Sequence, residues 1–131
     1  MARRLSGTAR VVLLATMATL PACNRQDQQI QQHKEAFESL GATTEAICEA
    51  WLAGDVSGTY THTALAQTFL LVEKERTALA AAPEALLDPR GATLSQQAEK
   101  LSRTLAALTA DVSAADADAA RRHLAEIPTK P

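Results

Sequence analysis

At 131 residues and a formal net charge of −2, the chain has the length of a single domain. Hydrophobic residues make up 47% of it but aromatic residues only 3%. The apolar weight therefore rests on Ala and Leu, strong helix formers, and the β-branched and aromatic runs of a sheet protein are missing. The charge excludes nucleic acid as a partner, because that affinity comes largely from neutralising phosphates with Lys and Arg.

In chain order, Arg3, Arg4 and Arg10 flank an uncharged apolar stretch, Val11 to Leu20, VVLLATMATL. Ten residues are too few to span a bilayer and suit the hydrophobic region of an export signal. The stretch runs into Leu20-Pro21-Ala22-Cys23, which resembles the lipobox of bacterial lipoproteins. Leu20 and Ala22 match its pattern, while Pro21 departs from the small or β-branched residue usual there. Plain secretory cleavage after Ala22 would need a small residue where Leu20 stands.

The resemblance implies a diacylglyceryl (palmitate-type) lipid on the Cys23 thiol, cleavage before Cys23 and acylation of the new amine. It thus predicts a signal peptide over 1–22 and a lipidated Cys23; the polar residues that follow read as a short tether, over 23–29 with the cysteine, and the spacing of apolar residues beyond them as a helical domain over 30–131. The resemblance also implies a cell-envelope protein facing the periplasm. Asn24, standing where an Asp would retain such proteins at the inner membrane, points to the outer membrane. Losing Arg3, Arg4 and Arg10 leaves 10 basic against 15 acidic residues, net −5. With no basic patch for anionic lipid, the membrane contact falls to the lipid on Cys23.

From Ile30 the apolar or semi-apolar positions fall at Ile30, His33, Phe37, Leu40, Thr44, Ile47 and Trp51, one stripe along a helix that Gly54 and Asp55 should end. Ser57 or Asp55 can cap a second helix, with Leu65, Val72, Leu79 and Leu86 at heptad spacing and Ala64, Leu71 and Ala78 beside them. Pro83 should close it, leaving Pro83 to Arg90 as a connection. Thr93-Leu94-Ser95-Gln96 reads as a capping box opening a third stripe, Leu94, Ala98, Leu101, Leu105, Leu108 and Val112. The register then slips to Ala117, Ala120, Leu124 and Ile127, so a break is expected near Ser113-Ala114-Ala115-Asp116, with a stop at Pro128.

The pattern predicts an all-α antiparallel up-and-down bundle of three long helices plus a shorter fourth. A hairpin about Asp55 and Val56 would set Trp51 against Tyr60, Ile47 against Ala64, Leu40 against Leu71, and His33 near Ala78.

Haem needs axial ligands, and both methionines leave with the signal, while His33, His62 and His123 fall on three different helices with no ExxH pair for a di-metal site. No cofactor or metal is expected. GxSxG, HExxH and phosphate-loop motifs are absent, so no catalytic residues are assigned and the chain reads as a non-enzyme. Cys48, left over once lipid takes Cys23, reads as a small buried hydrophobe; its oddness in the envelope also allows a covalent partner. Arg121-Arg122-His123 should pair with Asp116 and Asp118 on a solvated face.

The densest polar-aromatic cluster lies at the first corner, where Trp51, Tyr60 and His62, with Asp55 and neighbouring threonines, form a candidate recognition corner. A structural reading has Trp51 and Tyr60 simply closing the end of the bundle. Functionally, the chain reads as a non-enzymatic envelope lipoprotein whose helical domain is a protein-interaction or accessory module with a protein partner. The alternatives are a protective immunity or exclusion lipoprotein and a small-ligand-binding bundle.

Overall fold

The computed structural model describes residues 21–128, with side chains from residue 25; the signal segment over 1–20 and the side chain of Cys23 lie outside the described residues. All described elements are helices: α1 Pro21–Leu52, α2 Gly58–Ala80, α3 Pro83–Leu87, α4 Pro89–Ser113 and α5 Ala117–Leu124. The three long helices match the three sequence stripes. The one-turn α3 was not expected, and it takes Leu86 away from the second stripe. α1 takes in the segment read as a tether: Gln26 donates to the Glu84 carbonyl at 3.2 Å, and Asp27 pairs with Arg90 at 2.6 Å.

The first corner is set by backbone hydrogen bonds. Asp55 N–H donates to the Ala50 carbonyl and Gly54 N–H to the Trp51 carbonyl, the paired bonds of a Schellman end, with Gly54 at φ +78° supplying the left-handed residue. Of the two caps considered, Ser57 is the one used: its hydroxyl accepts from Tyr60 N–H at 3.1 Å.

α1 and α2 then run antiparallel, but about three residues out of the expected register. His33 meets Glu75 at 3.0 Å instead of nearing Ala78, and the Trp51 indole lies against Gly58 instead of Tyr60. The cause is the phase of α2. Its buried line is Thr61, Leu65, Thr68, Val72 and Leu79, which turns Tyr60, Leu71 and Ala78 outward. On α1 the expected line holds at Ile30, Phe37 and Thr44 and then shifts by one residue: Cys48 is fully buried, while Ile47 and Trp51 are half-buried.

The buried threonines of α1 and α2 cost little because each hydroxyl donates to a carbonyl one turn back, Thr44 to Leu40, Thr61 to Ser57 and Thr68 to Ala64, all at 2.8 Å. No buried side-chain polar atom among the described residues lacks a partner.

α4 begins four residues before the expected capping box. Asp88 accepts from Arg90 N–H at 2.9 Å, Pro89 takes the first helical position with its φ already set, and Thr93 is left inside the helix. Gly91 makes this start possible. A Cβ there would stand 1.8 Å from the Ala85 carbonyl oxygen, so α3 can press on α4 only where no side chain intervenes. The α4 stripe is buried as anticipated, from Leu94 to Val112.

The break at Ser113 occurs, so α4 and α5 are separate helices. The cap is Asp116, accepting from Ala119 N–H at 3.0 Å, whereas the Ser113 hydroxyl bonds back to the Thr109 carbonyl. The corner repeats the Schellman bonds. Asp116 N–H donates to the Asp111 carbonyl and Ala115 N–H to the Val112 carbonyl, with Ala115 at φ 53° as the left-handed residue. Ala120 and Ile127 are buried and bring the C-terminal segment onto α1, Ile127 lying beside Gly41.

Candidate interaction surface

The side chains named at the first corner do not converge. Trp51 is half-buried against Gly58, Tyr60 is 59% exposed on the outer side of α2, and His62 is exposed beside an open depression that it lines with Thr59, Thr63 and Ser113. Helical spacing explains the separation. Tyr60 and His62 are two residues apart on α2 and point to different sides, while the cap at Ser57 orients both.

Polar and ionisable groups elsewhere are spent on joining helices. The Glu73 carboxylate accepts from Ser102 at 2.6 Å and from Arg76 at 2.7 Å, tying α2 to α4; these bonds, the one from Ser102 foremost, hold its pKa below the ordinary range. Arg90 bridges Asp88 and Asp27, and its hydrogen bonds keep the Asp88 carboxyl low.

His123 pairs with Asp111 at 2.5 Å across the α4–α5 corner, and Arg121 pairs with Asp118 at 3.1 Å. The first of these replaces the expected use of Asp116, which is occupied as a cap.

Cys48 is fully buried and free. Burial pushes its thiol up to about 11, with the negative charge of Asp111 adding to the effect. At neutral pH such a thiol stays protonated and is a poor nucleophile or metal ligand. Among the described residues no three His, Cys, Asp or Glu side chains converge on a point where an ion could sit.

What remains is a contrast between helix surfaces. One continuous outward side of α2 is made by Thr59, Tyr60, Thr63, Gln67, Leu70, Leu71, Lys74, Thr77 and Ala78, with one charge among them. Leu70 is 67% and Leu71 51% exposed. Thr63 and Thr77 turn their hydroxyls back onto the carbonyls of Thr59 and Glu73, which leaves methyl groups outward. The outer side of α1 carries Glu35, Glu38 and Glu49, and Glu35, Glu38 and Glu45 line an open depression of about 500 Å³ together with Gly41, Ala42 and Pro128.

No family model, curated protein or solved structure matches the chain.

The outer α2 surface was missed from sequence because Leu71 and Ala78 were assigned to the flank of the core stripe and Leu70 to no surface. A usable signal was present in the threonines at 59, 63 and 77, which share a side of the helix with Leu70 and carry no charge. Around Leu70 that side carries Lys74 as its one charge, where a solvated helix face would carry several Glu and Lys.

Proposed function

We propose that the chain is a non-enzymatic, lipid-anchored protein of the bacterial cell envelope, which holds its helices as an antiparallel up-and-down bundle and offers the outer side of α2 to a protein partner. The observation carrying this reading is the row of nine positions along that side of α2, with a single charge and two exposed leucines at its middle. Exposed apolar surface of this kind costs solubility and gains nothing for the monomer, which is why such patches mark interaction sites.

The bundle reading draws support from three cross-helix contacts. His33 to Glu75 and Trp51 to Gly58 run in opposite order along α1 and α2, and Glu73 to Ser102 ties α2 to α4. The anchor reading rests on the basic start, the ten-residue apolar stretch and the lipobox-like Leu20-Pro21-Ala22-Cys23. No helix among the described residues is long and apolar enough to cross a membrane, so a lipid on Cys23 would provide the attachment. Because α1 is helical from Pro21, the domain would stand close to that lipid without a long spacer.

The test uses two variants in cells. Cys23→Ala should abolish incorporation of a palmitate analogue and leave the precursor uncut; normal maturation would refute the anchor. A photo-crosslinking residue at Gln67 should trap a protein partner, and replacing Leu70 and Leu71 by Glu should abolish the adduct. An unaltered crosslinking pattern would refute the interaction surface.

A further inference from the structure

The end of the bundle where α1 begins is built from α3 and the start of α4. α2 runs down to Ala80, α3 follows over Pro83–Leu87, and α4 leaves again from Pro89. The other two corners sit at the opposite end, where Gly58 and Thr59 line one depression with Val112 and Ser113. Two side chains from the first turns of α1 fix the near end. Gln26 donates to the Glu84 carbonyl at 3.2 Å, and Asp27 pairs with Arg90 at 2.6 Å. α3 therefore stands level with residue 26, about 4.5 Å along the helix axis from residue 23.

On α3 the Leu87 side chain is 86% exposed, more than any other large apolar side chain among the described residues. Pro83, one turn before it on the same side of the helix, is exposed as well. The charges beside Leu87 are satisfied inside the protein, because Arg90 lies between Asp88 and Asp27. An apolar tip of this kind stabilises nothing in the free domain.

We infer, on the reading that Cys23 carries a lipid, that this tip is a second membrane contact: Leu87 and Pro83 enter the interfacial layer of the bilayer beside the anchor and set the bundle upright on it. The occupant follows from the frame. A lipid on Cys23 holds residue 23 at the headgroups, and α1 is helical from Pro21, with no flexible spacer between anchor and domain. The bonds of Gln26 and Asp27 then carry α3 to nearly the same depth, whatever else the protein binds. The headgroup layer is roughly 5–7 Å thick on each side of the hydrocarbon, comparable with the single helical turn that separates residue 23 from residue 26.

One leucine is too little to hold a free domain on a membrane. The anchor changes that, because it makes the contact intramolecular and supplies the bilayer at high effective concentration. Burying Leu87 then favours the docked orientation over free swivelling about the anchor by a factor on the order of ten. The outer side of α2 is left clear of the membrane, since Leu70 lies ten residues before Ala80, about 15 Å up the helix.

The lipidated protein, reconstituted in phosphatidylcholine vesicles whose acyl chains carry bromine close to the headgroup, gives the test. Trp51 is the one tryptophan of the chain and lies 28 residues beyond Cys23, about 42 Å along α1, so its emission should survive. Leu87→Trp should add an emission that the brominated lipid quenches. Leu70→Trp, which adds the same apolar bulk on α2, should add one that it does not. The contact is apolar and these vesicles carry no net charge, so raised salt should leave the quenching unchanged.

No quenching of Leu87→Trp, on a protein that does incorporate the palmitate analogue, would overturn the second contact and leave the anchor standing. Equal quenching of Leu70→Trp and Leu87→Trp would overturn the upright orientation, because the bundle would then lie on its side. Quenching of Leu87→Trp that disappears at high salt would assign the contact to charge and overturn the role of Leu87. A chain that takes up no palmitate analogue would overturn the anchor, and this inference with it.

Discussion

The outer sides of α1 and α2 belong to neighbouring antiparallel helices, yet they are written in different chemistry. Between Glu35 and Glu49 the outward side of α1 is acidic, with Lys34 near Glu38 at 3.9 Å as its counter-charge. The outward side of α2 over Thr59 to Ala78 carries Lys74 alone. Exposure to water accounts for the first and not for the second. Carboxylates at helical spacing keep a surface hydrated, whereas exposed leucines and threonine methyls gain only when something covers them. The difference teaches that one side stays wet on its own terms, while the other leaves apolar groups in water that a partner would cover on the proposed function.

Both sides rest on one rigid frame, and the largest expected effect comes from breaking it. Gly91→Ala puts a methyl into the Ala85 carbonyl, a backbone group that cannot swing away, and should cost on the order of 3 kcal/mol or more in urea denaturation.

The next test separates the two sides of α2 itself. Leu65 is fully buried, so Leu65→Ala should cost about 2–5 kcal/mol. Leu70→Ala should change monomer stability by less than about 0.5 kcal/mol while weakening partner binding. Comparable losses of stability at the two positions would mean that Leu70 belongs to the core.

The phase of α1 decides which of its residues form the acidic side, and Cys48 reports that phase. A thiol raised from its ordinary 9.0 to about 11 is stabilised in its protonated form by the fold. That contribution is present below about 9 and is lost as pH rises toward about 11, so stability should fall over this window by roughly 2 kcal/mol. Cys48→Ala should remove this part of the slope. Native Cys48 should also alkylate slowly at pH 8 and rapidly in denaturant.

Two smaller effects refine the acidic side and its closing helix. Gly41 sits inside α1 beneath the carboxylates, and a Cβ there would meet Ile127 at 3.5 Å, an ordinary contact. Gly41→Ala should therefore raise stability by about 0.5–1 kcal/mol, read from the thermal midpoint. Ala115 occupies a left-handed position with φ 53°, so Ala115→Gly should stabilise by roughly 0.5 kcal/mol once the added freedom of the unfolded glycine is counted.

Legibility in the sequence tracked how far each feature depends on nearby residues alone. The α4 stripe was readable in full because six apolar positions from Leu94 to Val112 keep one helical phase, and each is buried. The start of α4 and the cap of α5 were harder to read because several residues could serve as cap. Thr93 and Ser113 fit the capping pattern, but Asp88 and Asp116 bond the free N–H groups, the former helped by Pro89 and by the room that Gly91 leaves for Ala85. A cap choice of this kind turns on where the preceding segment packs.

The proposed surface shows the same division. Composition and spacing alone determined that the chain is helical, that its long helices carry apolar stripes, and that Cys48 lies at the edge of one. On α2 the line Leu65, Val72 and Leu79 was legible too, but only the tertiary structure decided that Thr61 and Thr68 join it in the core and Leu71 and Ala78 do not. Leu65 and Leu71 are both leucines within two turns of each other, and the choice was made by the Ser57 cap and the five-residue corner after Leu52, which rotate Thr61, Leu65 and Thr68 toward α1 and α4. Rotating a helix by one residue moves every side chain by 100°, a change that local sequence barely resists and that packing against two neighbours forbids.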